Sequence, residues 1–301
     1  MTQDSNITKN VNNAQQPAVV HTVDELRTLV NAARKDGKTI GFVPTMGALH
    51  DGHLSLIGRA QEHADFTVSS IFVNPEQFAP HEDFDTYPRT LDQDVEKLAS
   101  LGCNVVFAPS VQEIYPEGFG TKIHIQSSVI EDMEHTCRPG FFDGVAIIVC
   151  KLLLQVMADI AVFGEKDYQQ LQLIRRMTTD LNIPTQIIGA PIVRDPEGLA
   201  LSSRNQYLSK EQYTIAIQLN RILFQCAENI QNGEDIQTSI EQAKLMILAS
   251  GFEAIDYLEL RDATTLLPVG LKTIEPSMKN TLRLLIVARI GGIRLLDNIR
   301  L

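Results

Sequence analysis

Apolar positions follow two alternating rhythms over roughly the first two thirds of the chain. Residues 39–43, 66–73, 104–108, 160–163 and 185–188 are short apolar runs rich in β-branched residues and bounded by turn formers, the pattern of buried parallel strands. Between them, apolar residues recur at helical spacing over 22–33, 53–64, 91–101, 145–157 and 167–181. Thr22 followed by Glu25 forms a capping-box signature, and Gly102 and Pro184 stand where the third and fifth helices must stop. Strands alternating with helices predict an α/β fold with a doubly wound parallel sheet over residues 17–193. The rhythm then changes: two long amphipathic helices, 209–231 and 234–249, precede strands at 252–260, 281–289 and 292–296. Residues 194–301 are therefore expected to form a second, smaller α+β domain that closes over the first. Residues 1–16, rich in Asn and Gln without an apolar core, are expected to be a disordered tail rather than a signal peptide.

Composition narrows the classes. The chain has 301 residues, of which 44% are hydrophobic and 21% charged, enough for two globular domains. With 26 basic and 37 acidic residues its net charge is -11, which argues against nucleic acid or a membrane surface as partner, since both are held by basic patches. The apolar stretch 145–163 is broken by Lys151, Gln155 and Asp159 and reads as helix then strand, not as a membrane span. Cys103, Cys137, Cys150 and Cys226 show no C-x-x-C spacing, so a reduced, cytoplasmic setting is expected.

In a doubly wound sheet, ligands bind beyond the carboxyl ends of the strands. Three post-strand loops carry suggestive chemistry. The first, Met46-Gly47-Ala48-Leu49-His50-Asp51-Gly52-His53, places two glycines and two histidines between a strand and a helix. Glycines leave backbone N–H groups and a helix N-terminus open to an anion, and histidines donate to phosphate, more strongly when charged. It is neither a dinucleotide fingerprint nor a Walker loop. Structural histidines bonded to backbone, or a metal pair, are the other readings of the same residues. The second loop contains Gln77 just after Asn74-Pro75, either a plain turn or an amide offered to a hydroxyl or carboxylate. The third, Gly164-Glu165-Lys166-Asp167, is either a solvated turn ending in a cap at Asp167 or a phosphate-binding Lys beside a ribose-binding Asp, with Gln170 on a helix face looking back at the same place. Further on, Leu201-Ser202-Ser203-Arg204 offers two hydroxyls and a guanidinium, either capping the helix that starts near Ser209 or gripping a triphosphate.

Taken together, the segments PTMGALHDGH, FVNPEQF, YPRT, GFFDGVA, FGEKDYQQ and LSSRN, in that order, resemble the pantothenate synthetase (pantoate–β-alanine ligase) family of the H-x-G-H nucleotidylyltransferase superfamily, kin of the class I aminoacyl-tRNA synthetases. The resemblance implies a Rossmann-like domain and an ATP-dependent ligation. Pantoate and ATP would give pantoyl adenylate and pyrophosphate, and β-alanine would then displace AMP. It implies an ATP site made of residues 46–53, 164–167, Val193 and 201–204, with His53 as proton donor and His50, Lys166 and Arg204 also catalytic. Gln77 and Gln170 would hold pantoate, Gln77 also serving β-alanine. Mg²⁺ would accompany the triphosphate, with Asp94 as its ligand, and the protein would be a homodimer. Leu201 departs from the Met common among relatives. The alternative within the superfamily is an enzyme that stops at nucleotidyl transfer to a phosphate acceptor.

Overall fold

The computed structural model describes residues 16–79 and 82–301; the tail expected over 1–16 lies outside these but for Gln16. In chain order the first domain contains β1 (Ala18–Val20), α1 (Val23–Lys35), β2 (Ile40–Thr45), α2 (Asp51–Gln61), β3 (Phe66–Ile71), α3 (Leu91–Ser100) and β4 (Val105–Phe107). It continues through the short α4 (Val111–Ile114) and α5 (Glu134–Cys137), then α6 (Phe141–Val156), β5 (Ile160–Gly164), α7 (Tyr168–Asp180) and β6 (Gln186–Ala190). The strands form one parallel six-stranded sheet in the order β1-β4-β3-β2-β5-β6. Alternation along β2 sends Phe42 to one face, beneath α1, α6 and α7, and Val43 to the other, beneath α2 and α3. Both faces are covered, which is why these strands read as continuous apolar runs. Each fully buried side chain such as Phe42 or Phe107 stabilises the fold by about 1.5–3 kcal/mol.

The chain leaves β2 toward β3 on one side and β5 toward β6 on the other, so β2 and β5, which pair at Gly41–Ile160 and Phe42–Ala161, flank the switch point of the sheet. The histidine loop follows β2 and the Lys166 loop follows β5. Topology thus brings together two segments more than a hundred residues apart.

The C-terminal part holds α8 (Lys210–Gln231), α9 (Ile236–Ala249) and an antiparallel sheet of β7 (Ala254–Asp262), β8 (Leu282–Ile290) and β9 (Ile293–Arg300). One face of this sheet packs Leu258, Leu284 and Ile286 against α8 and α9; the other turns Tyr257, Leu285 and Val287 into the core of the first domain.

Several boundaries differ from expectation, each for an identifiable reason. β1 is only three residues long, too short for a pattern, and is fixed by pairing with β4. Helix α2 starts at Asp51 rather than His53, because the His50 ring itself serves as the N-cap. β9 runs on past Leu296 to Arg300, since Asp297 and Asn298, polar enough to suggest an end, are buried and partnered, Asp297 by Arg194 and Asn298 by the carbonyls of Glu165 and Lys166. The capping box at Thr22 and Glu25 is present as read.

Candidate active site

Above the carboxyl ends of β2 and β5 lies a cleft of about 840 Å³, large enough for a nucleotide and a second small substrate. Met46, His50, Gly52, His53, Gln77, Gly164, Lys166, Asp167, Gln170, Val193, Leu201, Ser202, Ser203 and Arg204 all line it. So one cleft collects most of the residues singled out from the sequence.

The histidines occupy the first turn of α2. The Gly52 N–H donates to His50 Nδ1 (3.1 Å), and the His50 N–H donates to His53 Nδ1 (3.4 Å). A ring nitrogen that accepts from an N–H carries no proton, so in both neutral rings the proton sits on Nε2. The rings lie with centroids 4.1 Å apart. Burial, with Lys166 nearby, pushes His50 down to about 4. Burial, His50 and Lys166 push His53 down to about 3. Both are therefore neutral N–H donors in the free protein at pH 7. They can donate to phosphate in this form, though without the added strength of a charged ring, because two cationic rings this close, beside a lysine, repel each other.

The loop's backbone is also committed internally. Gly47 N–H donates to Thr45 Oγ1, and the Ala48 and Leu49 N–H groups donate to the Asp94 carboxylate at 2.9 and 2.8 Å. These amides are spent inside the protein, and what the loop offers the cleft is its histidine side chains. Gly47, Ala48 and Leu49 thus back the site rather than line it, and Asp51 is exposed on the helix. Asp94, expected to hold Mg²⁺, is 0% exposed and accepts from Ala48, Leu49 and the Thr90 hydroxyl, which leaves it no approach to a metal.

The β5 loop is organised by the second domain. Asn298 Nδ2 donates to the carbonyls of Glu165 and Lys166, both at 2.9 Å, and Arg283 pairs with the Glu165 carboxylate at 2.8 Å. Glu165, expected at the nucleotide, is turned away by that pair. Lys166 stays in the cleft, where its one ion-pair partner among the described residues is Asp167, at 3.9 Å, and Asp167 makes no capping bond to α7. Both remain available to a ligand.

Across the cleft, Ser202 caps the turn Ser203–Tyr207 by accepting from the Arg204 N–H. Ser209 caps α8 with Gln212, so the Ser–Arg loop is not needed as that helix's cap. Ser203 Oγ donates to the Ala48 carbonyl at 3.3 Å and ties this loop to the histidine loop. Arg204 pairs with Asp83 at 2.8 and 3.1 Å, and Arg138 pairs with Glu82. A nucleotide that engages Arg204 must exchange for the Asp83 carboxylate.

Asn74 and Arg138, which the sequence did not single out for the site, hold Gln77 in place, Arg138 by donating to the Gln77 carbonyl at 3.1 Å. Asn74 Nδ2 donates to the Gly144 carbonyl and to Gln77 Oε1, both at 3.1 Å. The backbone carbonyl identifies that atom as nitrogen, hence the Gln77 atom as oxygen, and so the Gln77 NH₂ is left free for a carboxylate or hydroxyl. The neighbouring Gln169 is fully used on Val129, Asp132 and Glu134, whereas Gln170 reaches the cleft. The Gln77 turn rests directly on α6: a Cβ on Gly144 would stand 1.9 Å from the Glu76 carbonyl oxygen. Gly144→Ala is accordingly expected to displace Gln77 and raise the KM for the acid substrate about a hundredfold, while the KM for ATP changes little. Steady-state kinetics with each substrate varied in turn checks this.

A switch-point cleft lined by a neutral histidine pair, a lysine and a hydroxyl–arginine loop is the architecture of an α/β protein built to hold an anionic, phosphate-bearing ligand. The chain belongs to the pantoate–β-alanine ligase family: the family model described as Pantoate-beta-alanine ligase matches residues 18–300. Among curated relatives, the pantothenate synthetase of Caulobacter vibrioides is 48% identical over 282 residues, 94% of this chain and 98% of its own. That of Pseudomonas fluorescens is 50% identical over 286 residues, 94% and 97%. The solved pantothenate synthetase of Thermus thermophilus superimposes with a TM-score of 0.87 at 41% identity, covering 94% of this chain and 99% of that one. A Francisella tularensis pantoate–β-alanine ligase, complexed with βγ-ATP and β-alanine, gives 0.79 at 35% identity, covering 94% and 97%.

Proposed function

We propose that this cleft condenses pantoate with β-alanine at the expense of ATP through a pantoyl-adenylate intermediate. One observation carries the reading: a single cleft is lined by the paired histidines with Lys166 close enough to depress both, by Arg204, and by Gln77 and Gln170. In the first step a pantoate carboxylate oxygen attacks the α-phosphorus of ATP and the bond to pyrophosphate breaks. Negative charge then grows on the leaving phosphates, where His50, His53, Lys166 and Arg204 donate. In the second, the neutral amine of β-alanine attacks the acyl carbon, AMP departs and the nitrogen loses a proton. Positioning and charge stabilisation suffice, because adenylation has already created the leaving group.

Mg²⁺ belongs to this reading as the counterion of the triphosphate. Among the described residues no group of three or more His, Cys, Asp or Glu could hold a metal, and Asp94 is spent on backbone. The ion would enter with ATP, keeping phosphate and water ligands. The ATP-binding set is proposed to be Met46, His50, Gly52, His53, Gly164, Lys166, Asp167, Val193, Leu201, Ser202, Ser203 and Arg204, with the domain boundary at 193/194. Homodimerisation, drawn from the family resemblance, is proposed with it. A cytoplasmic setting is supported by four free cysteines and by the finding that no described helix is long and apolar enough to cross a membrane.

The two-step order is tested by isotope exchange. Labelled pyrophosphate is expected to enter ATP when enzyme, Mg²⁺ and pantoate are present without β-alanine, and added β-alanine should yield amide and AMP, never ADP. Exchange that requires β-alanine would mean a concerted route, and ADP would mean an acyl phosphate. Exchange indifferent to pantoate would favour the nucleotidylyltransferase alternative.

A further inference from the structure

We propose that Asp94, seconded by Lys97, is the positioning residue of the histidine loop. Gly47 and Ala48 follow one another at φ +85° and +50°, a left-handed pair that residues with a Cβ rarely adopt. A turn of this kind turns successive N–H groups into one concavity, the shape that elsewhere receives an anion. Here a side chain fills it. The two oxygens of Asp94 take the Ala48 and Leu49 N–H groups, one each, and Thr90 donates its hydroxyl to the same carboxylate. One turn along α3, Lys97 Nζ donates to the Leu49 carbonyl at 2.6 Å. A Cβ on residue 47 would come within 3.2 Å of Asp94 Oδ2, so the fit also depends on Gly47. α3 thereby grips both polar groups of Leu49, the residue before His50.

The consequence falls on the rings. His50 is the N-cap of α2, and its N–H holds His53 Nδ1. Loosening the turn at Ala48 and Leu49 would therefore let both rings rotate and spoil the Nε2–H donors. Asp94 keeps phosphate off the loop's amides and fixes which nitrogen of each ring meets it. It touches no substrate and acts through His50 and His53.

The kinetic readout rests on the assignment of the histidines to the triphosphate; the spectroscopic one does not. Asp94→Asn has the same shape but sets an NH₂ against one of the two amides. Pyrophosphate exchange is expected to fall at least tenfold, with the KM for pantoate within twofold of wild type. In a His53→Ala background the same change is expected to cost clearly less than in the wild type, because one of the two rings it positions is gone. Independently, ¹⁵N spectra of the free protein should show altered Nδ1 and Nε2 shifts for His50 and His53 in Asp94→Asn. Unmoved shifts would overturn the proposal, as would a full tenfold loss in both backgrounds or a raised Mg²⁺ requirement as the main effect. Should His53→Ala prove as active as wild type, the functional assignment of the histidines fails, and the ¹⁵N shifts alone decide the role of Asp94. If Asp94→Asn does not fold, Lys97→Met provides the test, with smaller effects in the same direction and unchanged ¹⁵N shifts counting against it.

Discussion

His53→Ala is expected to lower turnover by two to three decades while leaving the fold intact. Its ring is partly open to the cleft, so the lost packing is modest. What disappears is a donor aimed at charge that grows in the transition state, and removal of one such donor costs about 3 kcal/mol. The pH behaviour distinguishes this role from proton donation. With His50 at about 4 and His53 at about 3, neither ring in the free protein should titrate between pH 5 and 8, which ¹H NMR of the ring protons checks. The sign for stability follows. Below the ordinary histidine value the unfolded chain takes up protons that the folded rings refuse until about 4 and 3, so stability declines as the pH falls through that window. A ring that titrates near 6.5 in the free protein, or turnover within a few-fold of wild type for His53→Ala, would remove the neutral-donor assignment.

Lys166→Ala is expected to abolish pyrophosphate exchange within detection, a fall of roughly three decades, because it deletes the cation nearest the histidine pair in a cleft that screens poorly. Its loop has no freedom to compensate: Asn298 holds two of its carbonyls and Arg283 holds Glu165. For the same reason Lys166→Arg should recover little, since the longer, planar head cannot be accommodated by a shift of the loop. Single-turnover formation of AMP separates this from a defect in product release. Recovery to near wild-type rates in Lys166→Arg would mean that charge alone matters and that the pinned geometry does not.

The alternation of strand and helix was legible because it is local: residues such as Phe42 and Val43 must face opposite covered sides, and a period of two with apolar residues at both positions states that directly. The histidine loop, Lys166 and the Ser–Arg loop were legible as types of chemistry placed after strands. Boundaries failed where a polar side chain did a backbone's work, as the His50 ring does in starting α2 and as Asp297 and Asn298 do inside β9.

The sequence by itself determined the fold class, the family and which side chains are able to meet a triphosphate, because propensity, periodicity and functional-group chemistry belong to each residue and its near neighbours. Only the tertiary structure decided which of those groups are free. Asp94, Glu165 and the amides of Ala48 and Leu49 looked available and are consumed, by one another or by Arg283. Asn74, unremarkable beyond its turn, determines which face of Gln77 is offered. A donor or acceptor can be spent by a partner 45 or 118 residues away, and that partner is chosen by the packing of the whole chain, not by the segment that carries the group.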